Sequence, residues 1–163
     1  MYDRILVPTD GSAGVERAVE HAVGLAEEHG ATVEALYVVN AATFGGLPME
    51  TSWEGISSVL REEGHEAVER VEKIAEREGV DVETRIVEGM PSRTICEHAA
   101  SEDCDLIVMG THGRGGIDRL LMGSVTERVV RTAEPPVLTV RMESDDSDAD
   151  AEERAAEERT PQP

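Results

Sequence analysis

The sequence predicts an α/β fold, an open five-stranded parallel sheet with helices on both faces. Short apolar runs alternate with longer segments of helical periodicity, in the order βαβαβαβαβ. Strands joined through helices of ten residues or more lie parallel, through right-handed crossovers, and are covered on both sides. Glycine or proline closes most of the segments, which sets their limits.

The first strand is Arg4, Ile5, Leu6 and Val7, closed by Pro8. Thr9, Asp10, Gly11 and Ser12 make the loop that follows, and a segment rich in alanine, valine and glutamate then runs to Gly30. Within it Val15, Ala18, Val19, Ala22, Val23 and Ala26 recur at three- and four-residue spacing, so one apolar stripe of a helix faces the sheet. Gly30 is a natural helix end, and Asp10 and Ser12 are each placed to cap the helix start.

Residues 32–39, rich in valine and leucine, form the second strand. Residues 40–51 contain Gly45, Gly46 and Pro48 and make a loop of the length that usually serves function or motion. The second helix starts near Ser52 and carries Ile56, Val59, Leu60, Val68, Val71, Ile74 and Ala75 on its apolar face; Gly64 is a point where it can break, and Gly79 ends it. Trp53, alone at the helix start, reads as a packing or interface residue. Residues 80–87 are the third strand, and Pro91, Ser92, Arg93 and Thr94 open the third helix with proline in its first turn. Residues 104–109 are the fourth strand, 124–133 the fourth helix and 136–141 the fifth strand.

The chain has 163 residues and 39% apolar content, enough for one core and one domain. That domain spans residues 1–142, because residues 143–163 carry nine acids, two arginines and no apolar side chain but alanine. Such a segment cannot offset its ordering entropy by burial and is expected to be an acidic disordered tail. A short helix over 149–159 suits its composition but has nothing to anchor it. No apolar run is long enough to span a bilayer, and the start lacks a signal-peptide pattern, so a cytoplasmic protein is expected. Cys96 and Cys104 match neither a redox nor a zinc spacing and read as reduced, ordinary thiols. His21, His29, His65 and His98 show no ligand pairing and are expected at the surface.

A net charge of −20 excludes nucleic acid as a partner, since no basic stripe is present to displace counterions from phosphate. Lys73 is the only lysine beside fourteen arginines. A surface of hydrated carboxylates with so few lysines and aromatics suits a protein working in molar internal salt, as in a halophile.

The chemistry lies in residues 110–124, between the fourth strand and fourth helix. Gly110 leaves the strand, Gly113 lets the chain turn, and Gly123 and Ser124 bring backbone N–H groups and a hydroxyl to a helix N-terminus. Anions bind there without a lysine, and His112 and Arg114 add donors. Neither GxxxxGK[ST] nor a GxGxxG after the first strand is present, which argues against P-loop transfer and dinucleotide binding. Glycines in such loops also serve turn geometry alone.

Gly110, Gly113, Gly123 and Ser124 fit G-x2-G-x9-G-[ST], which resembles the ATP-binding signature of universal stress proteins. The resemblance extends to residues 5–12, to Tyr37, Val38 and Val39, to residues 107–113 and to residues 136–140, and so covers residues 1–141. It implies strand order 3-2-1-4-5, an adenine nucleotide alpha hydrolase-like sheet, and ATP with magnesium or manganese as its ligand. Pro8, Thr9 and Asp10 would approach ribose and adenine, and the backbone at Val38 would border the base. Met109, Gly110, His112, Gly113 and Arg114 would line the α- and β-phosphates, with Gly123, Ser124 and Val125 at the γ-phosphate and its metal. Ligands of open α/β sheets sit beyond the carboxyl ends of the strands, which agrees with that placement.

The implied function is an ATP-binding regulatory protein of the stress response, whose nucleotide-bound state a protein partner reads. The alternative is a slow ATPase or a nucleotidyl- or phosphotransferase at the same site, but no side chain stands out as a base. No residue is assigned a catalytic role. A phosphate-receiver domain would need an acidic pair after the first strand and a lysine near the last, whereas the chain offers Asp10 alone and places Lys73 in the second helix. The apolar last strand would lie at a sheet edge and is expected to pair with a second copy as a homodimer.

Overall fold

A computed structural model describes residues 1–12, 14–40, 53–112 and 122–141. The elements are β1 (Arg4–Pro8), α1 (Val15–His29), β2 (Thr32–Val39), α2 (Trp53–Arg77), β3 (Val82–Glu88), α3 (Pro91–Ser101), β4 (Leu106–Gly110), α4 (Ser124–Thr132) and β5 (Val137–Val140). The strands form one parallel sheet in the order β3-β2-β1-β4-β5, as expected. The acidic segment 143–163, most of the loop after β2, and Gly113 and Arg114 lie outside the described residues.

The pleat divides the core in two. Ile5, Val7, Val33, Ala35, Tyr37, Val39 and Val108 face α1 and α2, while Leu6, Leu36, Ile107 and Met109 face α3 and α4 through Ile95, Ala99 and Val129. The six apolar positions expected on α1 are its six buried residues, and Gly30 ends it in the left-handed conformation at φ 68°. Neither Asp10 nor Ser12 caps α1; its N-cap is Gly14, with no side-chain bond. Two expectations for α2 need correction. It runs through Gly64 without interruption, and the Tyr37 ring packs where a side chain at that position would stand, 2.8 Å from the position of a Cβ. Val59, expected on the buried face, is exposed.

The amino-terminal ends of the strands are closed by charge. Glu34 on β2 is fully buried on the α3 face. Its carboxylate accepts from Arg4 Nη1 at 3.0 Å and lies 2.7 Å from His98 Nε2 on α3, with Arg85 Nε at 3.9 Å. Arg4 also meets Glu83 at 3.1 Å, as does Arg85. The two carboxylates hold the Arg4 guanidinium firmly charged, and Arg4 in turn keeps the Glu83 carboxyl below its ordinary range. Asp105 accepts the backbone N–H groups of Asp3 and Arg4 at 2.7 and 2.9 Å, which pins the start of β1 beside β4 and lowers the Asp105 carboxyl. His98 therefore departs from the expected surface histidine, whereas His21, His29 and His65 are exposed. Both cysteines are free, and burial beside Glu34 pushes the Cys104 thiol up to about 12, so it is a packing residue rather than a nucleophile.

Candidate functional site

At the opposite end the sheet opens. The β1–β4 ladder records only Ile5 with Leu106 and Leu6 with Ile107, although both strands continue, β1 to Pro8 and β4 to Gly110. The cause is legible in the backbone. Asp105 N donates to Arg4 O and Thr9 N donates to Leu36 O, so by alternation Arg4, Leu6 and Pro8 turn their polar groups toward β4. Pro8 has no N–H to give, and the ladder loses its next rung where one would be needed.

The recorded β1–β4 pairing thus stops at Leu6, between two strands whose crossovers leave to opposite faces of the sheet. This is the topological switch point at which open α/β sheets bind ligands. Its β1 side is the turn after Pro8. Pro8 and Thr9 are buried, and Asp10 is half-buried, with Oδ1 accepting from Ser12 N at 3.0 Å and Ser12 Oγ at 2.6 Å. Thr9 Oγ1 accepts from Gly11 N, and Gly11 takes φ 76°, which a side chain would disfavour. Val38 lies one strand further along, half-buried near the end of β2.

The β4 side is buried Met109 and Gly110, followed by Thr111 and His112, whose Nδ1 lies 3.0 Å from Thr111 Oγ1. Gly110 belongs to the set of β4 residues that face β1, and its carbonyl accepts from the Thr126 hydroxyl at 3.0 Å. Thr126, buried in the first turn of α4, thus supplies a bond to the carbonyl on the side where β1 has stopped pairing. Sequence reading missed this residue; the signal available was a hydroxyl two positions after Ser124 on the inner side of the helix.

Gly123 N donates to Thr111 O at 2.8 Å, so that amide serves to hold α4 against β4 rather than standing open as expected from the glycine motif. The N-cap Gly123 supplies no side-chain bond. The amides of Ser124, Val125 and Thr126 open the helix, where the backbone dipole favours an anion. Pro8, Thr9, Asp10, Met109, Gly110, His112, Gly123, Ser124 and Val125 therefore share one rim of the sheet, with Val38 beside them; Gly113 and Arg114 lie outside the described residues. Among the described residues no group of three or more His, Cys, Asp or Glu side chains is arranged to hold a metal, and no helix is long and apolar enough to cross a membrane.

A model of the universal stress protein family matches residues 1–141. A universal stress protein of Methanocaldococcus jannaschii is 49% identical over 141 residues, covering 86% of this chain and 83% of that one. The fold also matches a universal stress protein solved in complex with cAMP, at 29% identity and a TM-score of 0.66 over 87% of this chain and 99% of that chain. A third relative, from Archaeoglobus fulgidus and solved in complex with dAMP, is 25% identical with a TM-score of 0.63 over 85% of this chain and 97% of the other.

Proposed function

Because the chain belongs to the universal stress protein family, we propose that it is a regulatory protein of the stress response that holds ATP at the carboxyl rim of its sheet. The observation that carries the proposal is the β1–β4 ladder that stops short of Pro8, at the end of the sheet where α4 starts with an N-cap that brings no side chain to its amides. Its relatives' ligands, cAMP and dAMP, share adenine, a pentose and phosphate with ATP. Pro8, Thr9, Asp10 and the backbone of Val38 would meet the base and ribose. Met109, Gly110 and His112, with Gly113 and Arg114, would follow the α- and β-phosphates, and Ser124 and Val125 the γ-phosphate. Magnesium or manganese would enter with the nucleotide, on its phosphates.

Holding, not rapid turnover, is the expected activity. The rim offers amide and hydroxyl donors, and the one carboxylate of its β1 turn, Asp10, is engaged by Ser12. Hydrolysis should run well below the roughly 1–100 per second of kinases. The outer edge of β5 completes the proposal: β5 is the last strand of the sheet and its Leu138 is exposed, suited to antiparallel pairing with a second copy.

The test is to denature the purified protein, separate what is released by chromatography, and titrate the nucleotide-free protein with ATP and magnesium in a calorimeter. Adenine nucleotide in the extract and saturable heat are expected. An empty extract together with no heat at millimolar ATP would overturn the proposal.

A further inference from the structure

We propose that Ser92, in the first turn of α3, hydrogen-bonds the base of the nucleotide and is a specificity-determining residue of the site. The inference deepens the reading of the rim as a nucleotide site and rests on it. It starts from a hydroxyl with nothing to bond. Thr9, Glu34, Ser92 and Thr126 are the buried polar residues among those described, and three of them are answered. Thr9 Oγ1 accepts from Gly11 N, Thr126 Oγ1 donates to Gly110 O, and the Glu34 carboxylate meets Arg4 and His98. Ser92, only 7% exposed, has no hydrogen bond to its hydroxyl among the described residues. Fully enclosed side-chain oxygens and nitrogens there all have partners, so the Ser92 Oγ keeps a narrow opening through which another group can reach it.

The opening lies at the rim. Ser92, Ile95 and Ala99 are the buried stripe of α3, the side turned to the sheet, and Ser92 is its outermost member because α3 starts only two residues after β3 ends. Gly89 N donates to Val39 O at 3.0 Å, which carries the β2–β3 ladder to the rim and sets the first turn of α3 beside the end of β2. Val38 and Val87 are register partners on those two strands, and both are half-buried on the face that α3 covers. They make an apolar floor with one hydroxyl at its edge. That combination suits a heteroaromatic ring, which lays its faces on apolar side chains and presents donors and acceptors along its rim.

The position along the rim selects the base rather than the phosphates. α3 follows β3 and α4 follows β4, and these strands stand three spacings apart in the sheet, or about 14 Å at about 4.8 Å each. A nucleotide whose phosphates meet α4 directs its base toward β2 and β3, where Ser92 waits. A hydroxyl both donates and accepts, so it can serve either the amino group of adenine or a ring nitrogen. The energetics carry a signature. In the free protein a buried hydroxyl without a partner is a cost, and a bond from the base removes it, so deleting the hydroxyl should harm binding without harming the fold.

The experiment compares the native full-length chain with Ser92→Ala, both freed of nucleotide and held at one salt concentration with magnesium. Calorimetry gives the affinity for ATP and for ribose 5-triphosphate, which carries the sugar and phosphates without the base, and denaturant unfolding gives the stability of the free chains. Ser92→Ala should bind ATP about fivefold more weakly, the loss of one hydrogen bond. Its affinity for ribose 5-triphosphate should equal that of the native chain, and its unfolding midpoint should be unchanged or raised. Unchanged ATP affinity would overturn the inference and leave the nucleotide site standing. A parallel loss for ribose 5-triphosphate would also overturn it, by moving the hydroxyl's effect to the sugar or phosphates, and so would a lowered midpoint, by making the hydroxyl part of the fold. Failure of the native chain to bind ATP would overturn the inference together with the reading of the rim.

Discussion

At the base of the sheet the fully buried Glu34 meets Arg4 at 3.0 Å and His98 at 2.7 Å, while Asp105 ties down two backbone amides of β1. At the carboxyl rim, less than the length of a strand away, the ladder between β1 and β4 stops early and α4 begins without a side-chain cap. One end of the domain answers its polar groups from within; the other leaves donors for something to be brought. The difference teaches that the buried polar network and the proposed ligand site lie at opposite ends of the same strands, so mutations should separate stability from binding.

The largest expected effect is at the base. Glu34→Ala leaves Arg4 and His98 facing a cavity without their shared carboxylate, and loss of one partner of a buried ion pair costs about 3–5 kcal/mol. Denaturant unfolding at fixed salt measures it, and protein that remains folded should bind ATP as before. A loss below about 1 kcal/mol would mean the network is ornamental to stability.

Gly123→Val reverses the pattern. Gly123 sits at φ −58° and ψ 145°, a conformation open to β-branched residues, so stability should change by less than about 1 kcal/mol. A branched side chain beside the α4 amides should nevertheless weaken ATP binding by about tenfold, equivalent to about 1.4 kcal/mol. Calorimetry giving unchanged affinity would remove the rim as the site.

Thr126→Val tests the join between the two behaviours. It removes the donor to Gly110 O while keeping the shape, and should cost about 1 kcal/mol in stability with a modest loss of affinity as the end of β4 relaxes. Both quantities come from one titration and one unfolding curve. A drop in affinity with no change in stability would assign the hydroxyl to the ligand itself.

The smallest effect concerns acid. The Asp105 carboxyl is held below its ordinary 3.8 by the N–H groups of Asp3 and Arg4, so its contribution is fully present above that value and is lost as pH falls through the lowered one. Asp105→Asn should therefore trail the native chain at neutral pH, and the gap should close as the pH drops below 3.8. A gap that widened on acidification would contradict the assigned bonds.

Much of this molecule was legible in one dimension. The α1 stripe from Val15 to Ala26 is buried residue for residue, since periodicity in a helix reports directly on which side faces the sheet. Pro91 opens α3 as its lack of an amide predicts. Gly110 ends β4 and Gly123 and Ser124 start α4, as a strand ending in glycine before a helix start predicts; Gly113 lies outside the described residues.

Glu34 shows the limit. Within Thr32–Val39 it reads as a polar interruption in an apolar strand, and its burial depends on Arg4, Glu83, Arg85 and His98, residues 30 to 64 positions away that the parallel crossovers bring to one place. The same holds for Gly64, whose missing side chain is explained by the Tyr37 ring, and for Thr126, whose hydroxyl finds a carbonyl sixteen residues earlier. Sequence by itself determined the elements and their parallel arrangement, because those follow from periodicity and backbone chemistry over a few residues. Tertiary structure alone decided which charges are buried and paired, where Pro8 parts β1 from β4, and that Gly123's amide is spent on Thr111, because each is a property of partners that meet only when the sheet is assembled.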